Sequence, residues 1–249
     1  MPSDNRVLNK DNFYEDSNRE LLLENRTRIR ERISHCIAEN GFKRRGRTTF
    51  VLFSEDLAVF SCIEHPSSWF YTWFCVYPLY MPPLEVLMLN YGYRLSQWLH
   101  DNKMDIPDYA TTVETELWCD RTKLFIQDRF LPLTSQINTA QKITRYFGTI
   151  DQYPLLDSFK TLSAYRSKIE MYAWLRQHEY ARSFDSAQRY LSQIESSPYS
   201  DSVKDRECAR IREITHLAKV RNDLAVDNLL GRWRERNIAF LSEKKRTKK

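Results

Sequence analysis

Residues 69–80, WFYTWFCVYPLY, are apolar or aromatic at almost every position. A strand with one wet face alternates in polarity, so a β-type run that does not alternate has to be covered on both sides. The run is therefore expected to be a central strand that ends near the Pro82-Pro83 pair, because proline cannot donate to a ladder. Such a strand needs paired neighbours at its edges and packing layers above and below.

The neighbours are legible in the flanking sequence. Residues 48–64 carry two β-branched and aromatic runs around Ser54-Glu55-Asp56, the composition of a hairpin with a short polar turn. Residues 85–99 could be helical by length, but Asn90-Tyr91-Gly92-Tyr93 interrupts the helical period and suits a fourth strand with a glycine bulge. Ahead of the sheet, Leu21, Leu22, Ile29, Ile33 and Ile37 recur at helical spacing, and Gly41 is positioned to stop that helix.

After a polar connection at 100–113 the pattern turns helical. Leu117, Leu124, Ile126 and Phe130 belong to one helix that Pro132 ends or kinks, and Ile137, Ala140, Ile143 and Phe147 to the next, closed by Gly148. Leu155, Phe159, Leu162, Ile169, Tyr172 and Ala173 form one arm of a helical hairpin, and Phe184, Ala187, Leu191 and Ile194 the other. One charged helix then carries Ile211, Ile214, Leu217, Ala218, Leu224 and Ala225. The expected fold is α+β: an N-terminal helix and an antiparallel sheet of about four strands, then a helical C-terminal region with a helical hairpin. The expected divisions are a flexible 1–18, a helix-plus-sheet region over 19–112, a helical region over 113–243 and a basic tail over 244–249.

The net charge of +5 belongs to that tail: five of its six residues are Lys or Arg, and residues 1–243 carry equal numbers of basic and acidic side chains. The folded body therefore sets up no global field for a polyanion. The five cysteines are far apart in apolar or helical stretches and read as reduced thiols. With no apolar leader and no stretch of membrane-spanning length, the expected setting is the cytoplasm, without membrane insertion.

Chemistry-bearing motifs are scarce. The five histidines are scattered, CxxC and HExxH are missing, and the five glycines form neither GxGxxG nor GxxxxGK. No catalytic residue, metal or cofactor is assigned, and Cys36 reads as a helix thiol despite Lys43 and Arg44 nearby in sequence. Asp56, Glu64 and Asp101 lie near strand ends, where solvated turns account for them. The richest feature is Lys43, Arg44, Arg45 and Arg47, four cations in five residues at the entrance to an aromatic sheet. Cations beside stacking aromatics suit a nucleic acid, although basic residues also keep an exposed sheet edge from pairing with another.

Residues 39–50, ENGFKRRGRTTF, resemble the opening of a bacterial family catalogued as domain of unknown function 4304. The Asn90-Tyr91-Gly92-Tyr93-Arg94-Leu95 segment, the Phe130-Leu131-Pro132 break and the hairpin near Tyr180 and Ala187 are similar in order to that family's pattern. The similarities span about residues 20–195 and leave the final helix and tail outside. The resemblance implies an intracellular bacterial module of the accessory or immunity type that acts by binding a protein and supplies no catalytic residues. The expected function is thus non-catalytic protein interaction through the sheet edge or the hairpin at 156–196. The alternative is a nucleic-acid-binding protein that uses the basic cluster.

Overall fold

The computed structural model describes residues 16–64, 71–85, 92–104, 112–149 and 163–243. Helix α1 (Asp16–Glu39) leads into a five-stranded antiparallel sheet in sequential order: β1 (Lys43–Arg44), β2 (Thr49–Ser54), β3 (Leu57–Glu64), β4 (Tyr71–Pro78) and β5 (Gly92–Arg94). Helices α2 (Leu95–Asp101), α3 (Thr112–Phe125), α4 (Leu131–Ile137) and α5 (Ala140–Gly148) follow. Then come α6 (Ser163–Arg176), α7 (Tyr180–Glu195), α8 (Asp201–Val220) and α9 (Asp223–Ser242). This is the α+β class expected, with a sheet whose two outermost strands are only two and three residues long.

Gly41 ends α1 as its sequence position predicts: its φ of +88° is cheap only for a residue without Cβ, and its N–H donates to the Ala38 carbonyl. Strand β4 is the covered central strand. It pairs with β3 from Leu57↔Pro78 to Glu64↔Tyr71 and with β5 from Trp73↔Arg94 to Cys75↔Gly92. Register and alternation put Phe50, Ser61, Phe74, Leu52, Val59 and Val76 on one face, and Val51, Phe60, Cys75, Ala58 and Tyr77 on the other. Phe74 lies 4.9 Å from Phe125 and 5.1 Å from Phe130, ring centre to ring centre. Further along that face Leu57 and Val76 meet Ile137, Ile143, Phe147 and Ile169 around a void of about 10 Å³, too small and too apolar to hold water. The second face is covered at its centre, where Val51, Phe60, Cys75 and Tyr77 are buried, while Phe53 near the β2–β3 turn stays exposed.

Three local expectations give way to the structure. Residues 95–101 are helical rather than a continuation of the fourth strand, because Leu95, Trp98 and Leu99 bury a helical stripe; only Gly92–Arg94 pairs with β4. The preceding residues 86–91 lie outside the described ones, as do 105–111 of the polar connection, Leu155, Phe159 and Leu162 of the hairpin, and the tail. Pro132 interrupts the α-helical register but does not stop the helix outright. Its ring would clash with the Asp128 carbonyl in α-helical register, and Ile126–Phe130, the five residues before Leu131, widen into a π turn that carries α3 into α4. Finally, the single charged helix at the C-terminal end is two helices. Arg221 adopts a left-handed φ of +50°, and Asn222 starts α9 by accepting the Ala225 N–H at 3.0 Å.

That turn sends α9 back to the sheet. Arg234 pairs with Asp56 at the β2–β3 turn, and Arg45 beside β1 reaches the Phe240 carbonyl. Between them Asn237, fully buried, donates to the Leu79 and Met81 carbonyls at 2.8 and 2.9 Å and accepts the Leu84 N–H at 2.8 Å. A buried backbone group left without its partner costs roughly 1–3 kcal/mol. Asn237→Ala is therefore expected to lower unfolding free energy by about 3 kcal/mol in urea titration, against about 0.5 kcal/mol or less for the exposed Asn228→Ala on the same helix.

Candidate interaction surface

The basic segment divides as it folds. Arg45 is buried, with 4% of its surface exposed, and its Nε and Nη2 donate to the Phe240 carbonyl at 3.1 and 2.8 Å. Its guanidinium also lies 4.4 Å from the centre of the Phe240 ring. It satisfies an orphan carbonyl in the last turn of α9, where a cation also complements the helix dipole. Lys43, Arg44 and Arg47 remain exposed. Arg44 folds over the loop to donate to the Gly46 and Arg47 carbonyls at 3.1 and 3.0 Å. Arg30 of α1 joins this corner: burial, Arg47 and Arg44 together push its guanidinium below its ordinary pKa, only partly offset by Glu31. Helical spacing alone could not have shown that Arg30 faces the β1–β2 loop. The aromatic side chains Phe50, Phe60 and Phe74 are core, with no ring face open to stack on a base.

The other sequence candidates do not converge. Cys36 donates to the Cys119 carbonyl across the α1–α3 contact, and burial pushes both thiols up to about 11, the opposite of an activated nucleophile. Asp56 is committed to Arg234, while the side chains of Glu64 and Asp101 lie outside the described residues, as does His65. Among the described residues no cluster of three or more His, Cys, Asp and Glu side chains could hold a metal ion, and no helix is long and apolar enough to cross a membrane.

Two assemblies that sequence reading missed fix the α6–α7 hairpin. At its turn His178 takes a left-handed φ of +57°, with Nε2 3.2 Å from Asp227 and Nδ1 3.8 Å from Asp223, both on the first turns of α9. Arg176 also pairs with Asp227, and the Tyr180 hydroxyl donates to Asp223. Both ring nitrogens face carboxylates, Nε2 at hydrogen-bond distance and Nδ1 beyond it, so the imidazole clamps the hairpin turn to α9. Deeper, Glu207 of α8 is buried and accepts from Lys168 at 2.6 Å, Tyr190 at 2.8 Å and Arg210 at 2.9 Å. Burial would raise its carboxyl, but the Lys168 and Arg210 cations and the Tyr190 hydroxyl outweigh burial and hold it below the ordinary carboxylate value. The i, i+3 pair of Arg210 and Glu207 on α8 could be read from the sequence. Its meeting with α6 and α7 depends on tertiary packing.

On its outer side the hairpin and the C-terminal end of α5 enclose a cleft of about 270 Å³. Glu170 is its hub, accepting from Arg166 at 3.0 Å and from Arg189 at 2.7 Å. Arg166 also caps α5 through the Phe147 carbonyl at 2.6 Å, and Arg189 donates to Ser186. Arg182 is stacked over the half-buried Trp174, 4.7 Å from the ring centre. A larger depression of about 390 Å³ on the other side of α5 is lined by Lys142, Arg145 and Tyr146. There Lys142 is already bonded to the Ser135 carbonyl and Asn138. Comparison with protein-family models, curated proteins and solved structures found no match to this chain.

Two stability tests separate structural from surface charges. Arg45→Ala is expected to cost about 2 kcal/mol and Arg47→Ala less than about 0.5 kcal/mol, measured by urea unfolding. For Glu207, folding lowers the pKa, so its stabilisation is complete above the unfolded carboxyl's value of about 4.3 and is lost as the pH falls through the folded value. Glu207→Gln should cost about 3 kcal/mol at neutral pH, because it leaves Lys168 buried without its counter-ion. The same variant should lose less further stability than the parent when unfolding is repeated in acid.

Proposed function

We propose that the chain is a non-catalytic protein-interaction module whose contact surface is the outer face of the α6–α7 hairpin. The observation that carries this reading is the Trp174–Arg182 stack beside Arg189 at the cleft. Tryptophan and arginine are the residue types that dominate binding energy at protein interfaces, because each offers a large, preorganised contact at small entropic cost. Rigidity supports it too. The Glu207 cluster ties the hairpin to α8 and the His178 clamp ties it to α9, so little ordering remains to be paid on association. The bacterial accessory or immunity character rests on the resemblance of residues 20–195 alone.

A second reading, nucleic-acid binding, draws on Arg30, Lys43, Arg44 and Arg47 at one corner. It would act chiefly through phosphates, since Phe50, Phe60 and Phe74 are buried; Phe53, at the turn end of β2, is exposed. The two are told apart by affinity capture from native lysate with the full chain, with and without nuclease. The first reading expects a protein that survives nuclease, is cross-linked to the hairpin, and binds about tenfold or more weakly to Trp174→Ala, while Arg44→Gln and Arg47→Gln leave it unchanged. Nucleic acid that is recovered from the parent and lost from the Arg30, Arg44 and Arg47 variants would replace the first reading with the second.

A further inference from the structure

We infer that the cleft between α5, α6 and α7 is a subsite for a single carboxylate, contributed by the protein partner and received by Arg182 against Trp174. The inference rests on the interaction reading above and adds the chemistry of what is recognised.

Charge count selects the ligand. Among the described residues, three guanidiniums (Arg166, Arg182 and Arg189) and two carboxylates (Glu170 and Asp185) line the cleft, leaving one net positive charge. A monoanion balances it. A phosphate dianion or a nucleic-acid backbone would bring more negative charge than the site neutralises and would face Glu170 and Asp185 at close range.

The three arginines are not equivalent. Arg166 and Arg189 are spent on Glu170, the Phe147 carbonyl and Ser186. Arg182 makes its contact with the Trp174 ring, and among the described residues its guanidinium donates no hydrogen bond. A guanidinium has five N–H donors in a planar fork that matches the two oxygens of a carboxylate. Stacking on an indole fixes the plane of that fork without using its donors.

Its place in the helix points the same way. Arg182 is the third residue of α7, whose sixteen residues begin at Tyr180. A cation in a helix's first turn opposes the macrodipole, so this arginine does not serve the helix that carries it. An anion held at that position would interact favourably with both the guanidinium and the helix start. The half-buried Trp174 then offers apolar surface to the carbon stem of an acidic side chain.

The test is an NMR titration of the isotopically labelled full chain, read at the Trp174 indole N–H, which is assigned by its loss in Trp174→Phe. The probes are N-acetyl-glutamate α-amide, its neutral isostere N-acetyl-glutamine α-amide, N-acetyl-alanine as a chain-terminal carboxylate, and inorganic phosphate, all at constant ionic strength. A saturable shift with a carboxylate probe is expected, with none from the glutamine compound, and it should disappear in Arg182→Gln while the remaining spectrum stays that of the folded chain. Which of the two carboxylates binds more tightly tells a side-chain acid from a chain end. Equal response to the glutamine compound, response unchanged in Arg182→Gln, or phosphate binding more tightly than either carboxylate would overturn the assignment. A captured protein that needs Trp174 but is indifferent to Arg182→Gln would overturn this inference and leave the interaction reading standing. Carboxylate binding in a chain that captures no protein would do the reverse.

Discussion

The Asn237 amide is the contact that fastens α9, and with it the helical C-terminal region, to the segment following β4. The segment after β4 follows Pro78 and carries Pro82 and Pro83, which lack N–H donors, and its Leu79 and Met81 carbonyls turn inward to a side chain instead of a strand. A side chain with both a donor and an acceptor group is what such a segment needs. Asn237 provides it from α9, together with the Arg45–Phe240 and Arg234–Asp56 contacts on the same helix. Polar groups that are costly when buried singly become a means of fixing one arrangement when each meets its partner.

The same logic orders the charges of the helical half. Lys168 of α6, Tyr190 of α7 and Arg210 of α8 converge on the buried Glu207 and hold three helices in register, whereas Arg166 and Arg189 sit half in solvent and shape a cleft around Glu170. Arginine serves three ends here: helix capping in Arg45, cleft construction in Arg166 and Arg189, and an exposed fork in Arg182. Net charge and cluster spotting cannot separate these, because the distinction is whether the fork is already occupied.

What the sequence reveals follows from how local each cause is. The unbroken apolar run of β4, the Glu55-Asp56 turn and the stop at Gly41 depend on nearest neighbours and periodicity, and all three are legible. The break between α8 and α9 is not, because a left-handed Arg221 replaces the usual glycine and only Asn222 marks the new helix. The cleft was invisible for a different reason. Its residues come from three helices, and Thr144, Glu170 and Arg189 become neighbours only through packing. The basic run at 43–47 was legible as charge but not as function, since Arg45 turns inward to a carbonyl 195 residues away.

That separation bears on the order of events during synthesis. Domains tend to fold as units, N-terminal parts first as the chain emerges, yet the partners of the β1–β2 segment and of the proline-rich loop follow 195 and 158 residues later. Until α9 has been added, a nascent sheet rich in phenylalanine and tyrosine exists without the helix that seals it, and such exposed apolar surface is what chaperones bind. The contact that makes the finished protein stable thus also sets the period in which the ribosome-bound chain most needs protection.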